Sequence, residues 1–453
     1  MPTLISPTDA VFLAGESREH PMHVGALQLF EPNTDDADFP RRVYEGLTAD
    51  PQLQPTFRKR PGTVFGAISS LTWRYDDEVD LEYHVRRSAL PAPGRVRELL
   101  ELTSRMHSTL LDRHRPLWEQ YLVEGLADGR FAVYTKVHHA LIDGISAQRL
   151  LQRTLTTDPD DTDFRVPWTL PRPPRRESNT GLGSRLAQAA GAVRGAATFT
   201  PGMVGLAREV LTDPQLLPPF AAPRTMFNVP IGGARRIAAQ SWPLARIRAV
   251  KEATGTTVND VVLAMCAAAL RDYLLEQHAL PDASLVAMVP VSLRTEGDAD
   301  KGGNMVGTIL CTLGTDIADP AQRLQAINES MRRGKELFAG LPREQALALS
   351  AVLMSPLGLA AVPGFVSATN PPCNLVISNV PGPREPMYWH GARLDGNYPL
   401  SICLDGQALN ITLATNADKL DFGIVGCRRS VPHLQRLLTH LESGLADLER
   451  ATA

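Results

Sequence analysis

Apolar residues recur along this 453-residue chain with two different periods, and the switches between them mark out its elements. Phe131-Ala132-Val133-Tyr134-Thr135-Lys136-Val137 is rich in β-branched and aromatic residues and reads as a largely buried strand. Past Asp143-Gly144 the period becomes helical at Ile145, Leu150, Leu151 and Leu155, which puts Asp143 at an N-cap. In the second half Arg236–Trp242 predicts a strand and Leu244–Thr254 a helix. Thr257-Val258-Asn259-Asp260 then caps a strongly apolar helix over Val261–Leu275. Short strands are predicted over Leu285–Val291, Gly307–Leu313, Asn374–Ser378, Leu400–Leu404, Ile411–Thr415 and Leu420–Val425, and a charged helix over Pro432–Glu449 closes the chain.

Between the halves the chemistry changes. Thr157-Asp158-Pro159-Asp160-Asp161 is turn-rich, and Pro171-Arg172-Pro173-Pro174-Arg175-Arg176 cannot continue a helix. An Ala/Gly-rich, weakly helical stretch from Leu182 to Leu211 follows, expected to pack on either domain, the alternative being to lie on a lipid surface. Strands and helices are mixed on both sides, so the expected fold class is α/β. Two sandwich domains, 1–157 and 235–453, are joined by a linker over 158–234, with a cleft at their interface where ligand sites often lie.

Composition narrows the partners. A chain this long exceeds one core, and 43% hydrophobic with 21% charged residues is an ordinary globular balance. A net charge of −3 without a basic stripe argues against nucleic acid. Cys266, Cys311, Cys373, Cys403 and Cys427 are scattered and form no CxxC pair, so reduced, buried thiols of a cytosolic protein are expected. The first residues have neither a basic start nor an apolar core, and no signal peptide is expected. The uncharged run from Gln345 to Pro383 is interrupted by Pro356, Gly358 and Pro363-Gly364. It reads as a broken apolar helical region, buried or lining a greasy cavity, rather than as a membrane span.

The chemistry concentrates in Val137-His138-His139-Ala140-Leu141-Ile142-Asp143-Gly144. Histidine exchanges a proton near neutrality, and an aspartate followed by glycine can fix the loop that presents it. A general base, a structural histidine and a metal site all remain open on the residues alone. Strand neighbours point to opposite faces, so His138 and His139 do not converge on one ion without distortion, and the zincin spacing is absent.

His138 to Gly144 fits the HHxxxDG signature of CoA-dependent acyltransferases with the chloramphenicol-acetyltransferase-like fold. Further blocks resemble bacterial wax ester synthase/diacylglycerol acyltransferases. These are Ser6-Pro7-Thr8-Asp9-Ala10-Val11-Phe12-Leu13, Pro21-Met22-His23-Val24-Gly25, Pro116-Leu117-Trp118-Glu119 and Phe227-Asn228-Val229-Pro230-Ile231 with Arg235-Arg236. Val258-Asn259-Asp260-Val261, Pro290-Val291-Ser292-Leu293-Arg294 and Ser378-Asn379-Val380-Pro381-Gly382-Pro383 continue the series, so the likeness runs from Leu4 to Leu437.

The resemblance implies two chloramphenicol-acetyltransferase-like domains that transfer a fatty acyl group from acyl-CoA to the hydroxyl of diacylglycerol or a long-chain alcohol. His139 is then the general base and His138 a packing or hydrogen-bonding neighbour. Asp143 organises the loop, with Arg294 its expected partner, and Gly144 permits the turn. Asn259 is a candidate oxyanion donor, its alternative role being to cap its helix. Ser378 and Asn379, read as lying on a Gly/Pro-bounded turn, are weaker candidates. Leu353, Met354, Leu357, Gly358 and Ala360 are candidates for lining the substrate chains, against ordinary core packing. No metal and no cofactor are expected beyond acyl-CoA as co-substrate, and its phosphates are expected to meet scattered Lys/Arg near the cleft mouth. The expected location is cytoplasmic, with peripheral contact to membrane or lipid inclusions. A condensation-type N-acyltransferase and a non-catalytic lipid-binding protein are the alternatives. A bulky replacement at Gly358 or Ala360 is expected to shift chain-length preference, measured across acyl-CoAs of increasing length, and unchanged selectivity would sink that lining role.

Overall fold

The computed structural model describes residues 3–34, 36–49, 52–62, 72–170, 220–292, 306–339, 341, 345–346, 349–350, 353 and 364–452. The N-terminal half runs β1 (Thr3–Leu4), α1 (Pro7–Gly15), β2 (His23–Glu31), α2 (Phe39–Ala49), β3 (Lys59–Pro61), β4 (Thr72–Tyr75) and α3 (Leu81–His84). It continues through β5 (Val85–Ala89), α4 (Val96–Ser108), β6 (Trp118–Glu124), β7 (Phe131–His138) and α5 (Gly144–Gln152). The C-terminal half begins with β8 (Arg235–Pro243), α6 (Leu244–Thr254), α7 (Val258–Glu276), β9 (Val286–Ser292), β10 (Val306–Thr312), α8 (Pro320–Ala339) and α9 (Phe365–Ala368). Strands β11 (Leu375–Val380), β12 (Tyr388–Trp389), β13 (Ala392–Leu400), β14 (Leu409–Asn416) and β15 (Lys419–Cys427) follow, and α10 (Arg436–Thr452) closes the fold.

Two six-stranded sheets carry the described residues, with a small β1-β4-β3 sheet beside them. The first is ordered β12-β13-β2-β7-β6-β5 and the second β10-β9-β11-β14-β15-β8. In β7 every position is buried because both faces are covered. Phe131, Val133 and Val137 meet α2 residues Val43 and Leu47 together with Trp118 and Trp168. Ala132 and Tyr134 face Leu99 and Leu100 of α4 and join the large core that runs into the second sheet. Trp118 fixes the floor of the first domain: its indole N–H donates to the Phe57 carbonyl at 2.9 Å, and its ring stacks on Trp168 at 4.9 Å.

Helices α6, α8 and α10 touch the second sheet, and α7 packs against all three. Helix α7 is apolar nearly all round because these helices surround it. Thr257 is its N-cap, and a reciprocal capping box with Asp260 starts the helix at Val258. No single helix among the described residues is long and apolar enough to cross a membrane, although α6 and α7, bent by 105°, pass that test as a pair. All five cysteines are buried and unpaired.

The sheets do not follow the halves of the sequence. Strand β13 leaves the C-terminal half and pairs antiparallel with β2, from Arg393 opposite Glu31 to Leu400 opposite Gly25. Strand β13, from within 235–453, thus completes the sheet of the other half, and the strand expected over Leu400–Leu404 ends at Leu400 instead. At a bulge between Leu394 and Gly396, Asp395 is set free to bind Arg130 at 2.5 Å and Lys419 at 2.8 Å, one cation from each half. On the other side of the seam, Arg235 and Ile237 of the edge strand β8 donate their backbone N–H groups to Ser108 and Ser104 of α4 at 2.8 and 3.0 Å. An open sheet edge is thereby closed by helix hydroxyls.

The exchange leaves no room where β13 meets β15. A Cβ on Gly423 would stand 2.0 Å from the Pro399 carbonyl oxygen. Gly423→Ala is therefore expected to lose about 1–3 kcal/mol, as overpacked sites do. An unchanged denaturation midpoint would show that the strands are not held this tightly.

Candidate active site

His139 stands one residue past the end of β7. Its backbone N–H donates to the Met22 carbonyl at 2.8 Å, extending the β2–β7 pairing in which His23 faces His138. The imidazole, partly buried, stacks on Phe12 of α1, with ring centroids 4.0 Å apart and planes inclined by 21°. Burial pushes His139 below the ordinary histidine range; the Asp143 and Asp9 carboxylates oppose the shift only in part, and His138 adds to it.

His138 points the other way and is fully buried. Its Nδ1 accepts the Ala140 backbone N–H at 3.1 Å, so the proton sits on Nε2, 3.3 Å from Glu16 Oε1. That contact is electrostatic rather than a well-aligned hydrogen bond. Glu16 is also buried and pairs with Arg113 at 3.0 Å. Its burial works to raise the pKa, but His138 and Arg113 outweigh that and hold the carboxyl below the usual range. The two adjacent histidines thus face separate environments, as strand alternation requires, and among the described residues no group of three or more His, Cys, Asp or Glu is placed to hold a metal ion.

Below them, Lys136 is buried and uses all three of its N–H bonds. They go to Glu119 Oε2 at 3.0 Å, Thr109 O at 3.0 Å and Met106 O at 3.2 Å, the last two at the C-terminal end of α4. Tyr121 donates to the same Glu119 oxygen at 2.7 Å. His23 contacts the His107 carbonyl at 2.9 Å, and His107 in turn meets the Tyr134 hydroxyl at 2.7 Å. Burial drives His107 down to about 3, so it is a neutral structural group.

Asp143 is the N-cap of α5. Its Oδ1 accepts the Ser146 backbone N–H and its Oδ2 the Ser146 hydroxyl, both at 2.8 Å. Gly144 opens the helix behind it.

A family model for the wax ester synthase/diacylglycerol acyltransferase catalytic domain matches residues 5–262, and one for the WS/DGAT C-terminal domain matches residues 302–449. The chain belongs to this family. It is 61% identical over 452 residues to the probable diacylglycerol O-acyltransferase tgs2 of Mycobacterium tuberculosis, covering 99% of each chain. Among solved structures it is similar to the wax ester synthase/diacylglycerol acyltransferase from Marinobacter aquaeolei VT8, at 41% identity and a TM-score of 0.79 over 99% of this chain and 100% of that one. The first condensation domain of the CDA synthetase, at 18% identity and a TM-score of 0.54 over 100% of this chain and 96% of the other, shares the fold. The protein is thus an O-acyltransferase of the WS/DGAT family with two chloramphenicol-acetyltransferase-like domains.

The remaining predicted residues fall in different places. Asn259 is partly exposed in the first turn of α7 and is not its cap, a role taken by Thr257 and Asp260. Ser378 and Asn379 lie within β11 rather than on a turn, because the Pro381-Gly382-Pro383 bend begins only after them. They pair with Thr412 and Leu413 of β14, whereas pairing of β11 with β9 stops at Val376. The strands separate there and leave both residues beside a free strand edge among the described residues. Leu353 is packed in the large core with Ala346 and Leu349. Arg294, Met354, Leu357, Gly358 and Ala360 lie outside the described residues. Sequence reasoning missed Phe12 and Glu16 as parts of the site; Phe12 falls inside the Ser6–Leu13 block, but no local period ties it to a histidine so far along the chain.

The Phe12 stack has a measurable effect. A depressed pKa keeps His139 unprotonated to lower pH, so the acid limb of the pH–rate profile is expected below the free histidine value of about 6.5. Phe12→Ala admits water, favours the charged ring and is expected to move that limb upward. A limb that stays in place in the variant would exclude the ring's burial as the cause.

Proposed function

We propose that the protein transfers a fatty acyl group from acyl-CoA to the hydroxyl of diacylglycerol or a long-chain alcohol, with His139 as general base. The observation that carries this reading is the setting of His139 just past β7, its imidazole stacked on Phe12 at 4.0 Å and its burial favouring the neutral ring. A neutral imidazole keeps one ring nitrogen free to take the acceptor's hydroxyl proton. The hydroxyl oxygen attacks the thioester carbonyl, and the intermediate expels CoA thiolate. A thiol of pKa about 8.5 leaves readily, and the proton returns from the His139 ring to sulfur. The reaction needs no covalent acyl-enzyme, no metal and no cofactor beyond the co-substrate.

In this reading Asp143 is a positioning residue. Both of its oxygens are engaged by Ser146, which supports a role in holding the loop between His139 and α5 rather than in polarising the ring. Arg294 is its proposed partner, and His138 with Glu16 anchors the other side of the strand end. Asn259, Ser378 and Asn379 are the proposed oxyanion donors, and Leu353 to Ala360 the proposed wall for the aliphatic chains. The acceptors are lipids, and Leu4 and Val11, 80% and 64% exposed on the segment that carries Phe12, support contact with a membrane or lipid inclusion; the location proposed with it is cytoplasmic.

The test is release of CoA thiol from palmitoyl-CoA, offered diacylglycerol and hexadecanol separately. Acceptor-dependent release is expected from the wild type, with a loss of roughly 10²–10⁴ in His139→Ala. Turnover that survives in the variant would overturn the base assignment. Silence with both acceptors in the wild type would overturn the acceptor class.

A further inference from the structure

Arg149, Gln152 and Arg153, at the end of α5, line an open cleft of about 550 Å³ with Arg384. Its other wall is the loop leaving β11, where Pro383 and Met387 add apolar surface. That loop is fixed at both ends. Thr156 and Tyr388 exchange backbone hydrogen bonds of 2.9 and 2.7 Å, tying the C-terminal half to the residues after α5. At the near end Gly382 lies so close to β14 that a Cβ would stand 1.8 Å from the Thr415 carbonyl oxygen.

The cleft therefore sits on the seam between the halves, and its size is that of a cofactor or small-ligand site. Three guanidinium groups line it against a single carboxylate, Glu385. This is a local excess of positive charge in a chain whose net charge is −3. Arginine presents planar donors that match phosphate oxygens in pairs. Position is the second constraint. Helix α5 starts at the loop that carries His139 and Asp143. Arg149 and Arg153 stand six and ten residues beyond Asp143, or ~9 and ~15 Å along a helix axis. A thioester at His139 and phosphates at these arginines would be joined by the extended pantetheine arm.

We propose that this cleft binds the 3′-phospho-ADP end of acyl-CoA, its phosphates against Arg149, Arg153 and Arg384 and its adenine against Pro383 and Met387. The assignment rests on the acyl-CoA reading above and adds to it the residues that recognise the nucleotide. It also gives the strand exchange a catalytic use, because Arg384 reaches the cleft only through the loop that Thr156 pins.

Two measurements on Arg149→Glu/Arg384→Glu test it. Direct titration with 3′,5′-ADP is expected to show binding weakened by roughly tenfold or more, the worth of one lost charged hydrogen bond. The preference in kcat/KM for palmitoyl-CoA over S-palmitoylpantetheine, which lacks the nucleotide, is expected to collapse towards one. The Arg149→Gln/Arg384→Gln variant should fall between. Nucleotide binding equal to wild type, or a parallel loss with both donors that preserves the preference, would overturn the proposal. A wild type that binds 3′,5′-ADP through these arginines but turns over neither donor would sink the acyl-transfer reading and leave the cleft assignment standing.

Discussion

The structure depends on one crossing: β13, from the far end of the chain, completes the sheet that presents His139. Its partner β2 is also the neighbour of β7, so the catalytic strand lies one strand away from a segment of the opposite half. The crossing accounts for the seam. It brings Asp395 to a cation from each half, sets Gly423 against Pro399, and carries the loop after β11 over to the end of α5. The two halves are thus joined by backbone pairing, which fixes register, in addition to the side-chain contacts of an ordinary domain interface.

The second constraint is the burial of charge beneath the histidines. Lys136 and Glu119 sit where unpaired ions would be costly, and each is saturated by short contacts. Glu16 between His138 and Arg113 repeats the device two residues further along β7. Geometry rather than net stabilisation is what such pairs supply: three donors on Lys136 and two nitrogens on His138 fix the strand end in direction. His139 then needs only the Phe12 stack to set its orientation.

Much of this was legible from the residues. The HHALIDG run, the strand before it, the N-cap at Asp143, and the helices at Leu244–Thr254 and around Val261–Leu275 are local features, readable from period and capping chemistry. Strand β13 was not, because Ala-Arg-Leu-Asp-Gly-Asn-Tyr-Pro-Leu has low strand propensity and forms through pairing on both sides. The more apolar residues that follow drew the expected strand past its true end. Pro381-Gly382-Pro383 is a strong bend signal that suggests a turn at Ser378 and Asn379, yet the bend starts only after Val380, the last residue of β11. Asn259, readable as an oxyanion donor or as a cap, is not part of the capping box that Thr257 and Asp260 form, a distinction only geometry makes. Phe12 and Glu16 depend on contacts between distant segments, which no window of sequence contains.

The crossing also has a consequence for how the molecule is made. During synthesis β2 and β7 emerge early, while β13 leaves the ribosome near the end. Until then the first sheet has an unfilled edge along β2, whose Leu27, Leu29 and Phe30 belong to the finished core. Contacts of such long sequence separation form slowly, and an open strand edge invites pairing with other chains. The nascent N-terminal half is therefore a natural client for chaperones, and its vulnerable interval ends only when nearly the whole chain has been translated.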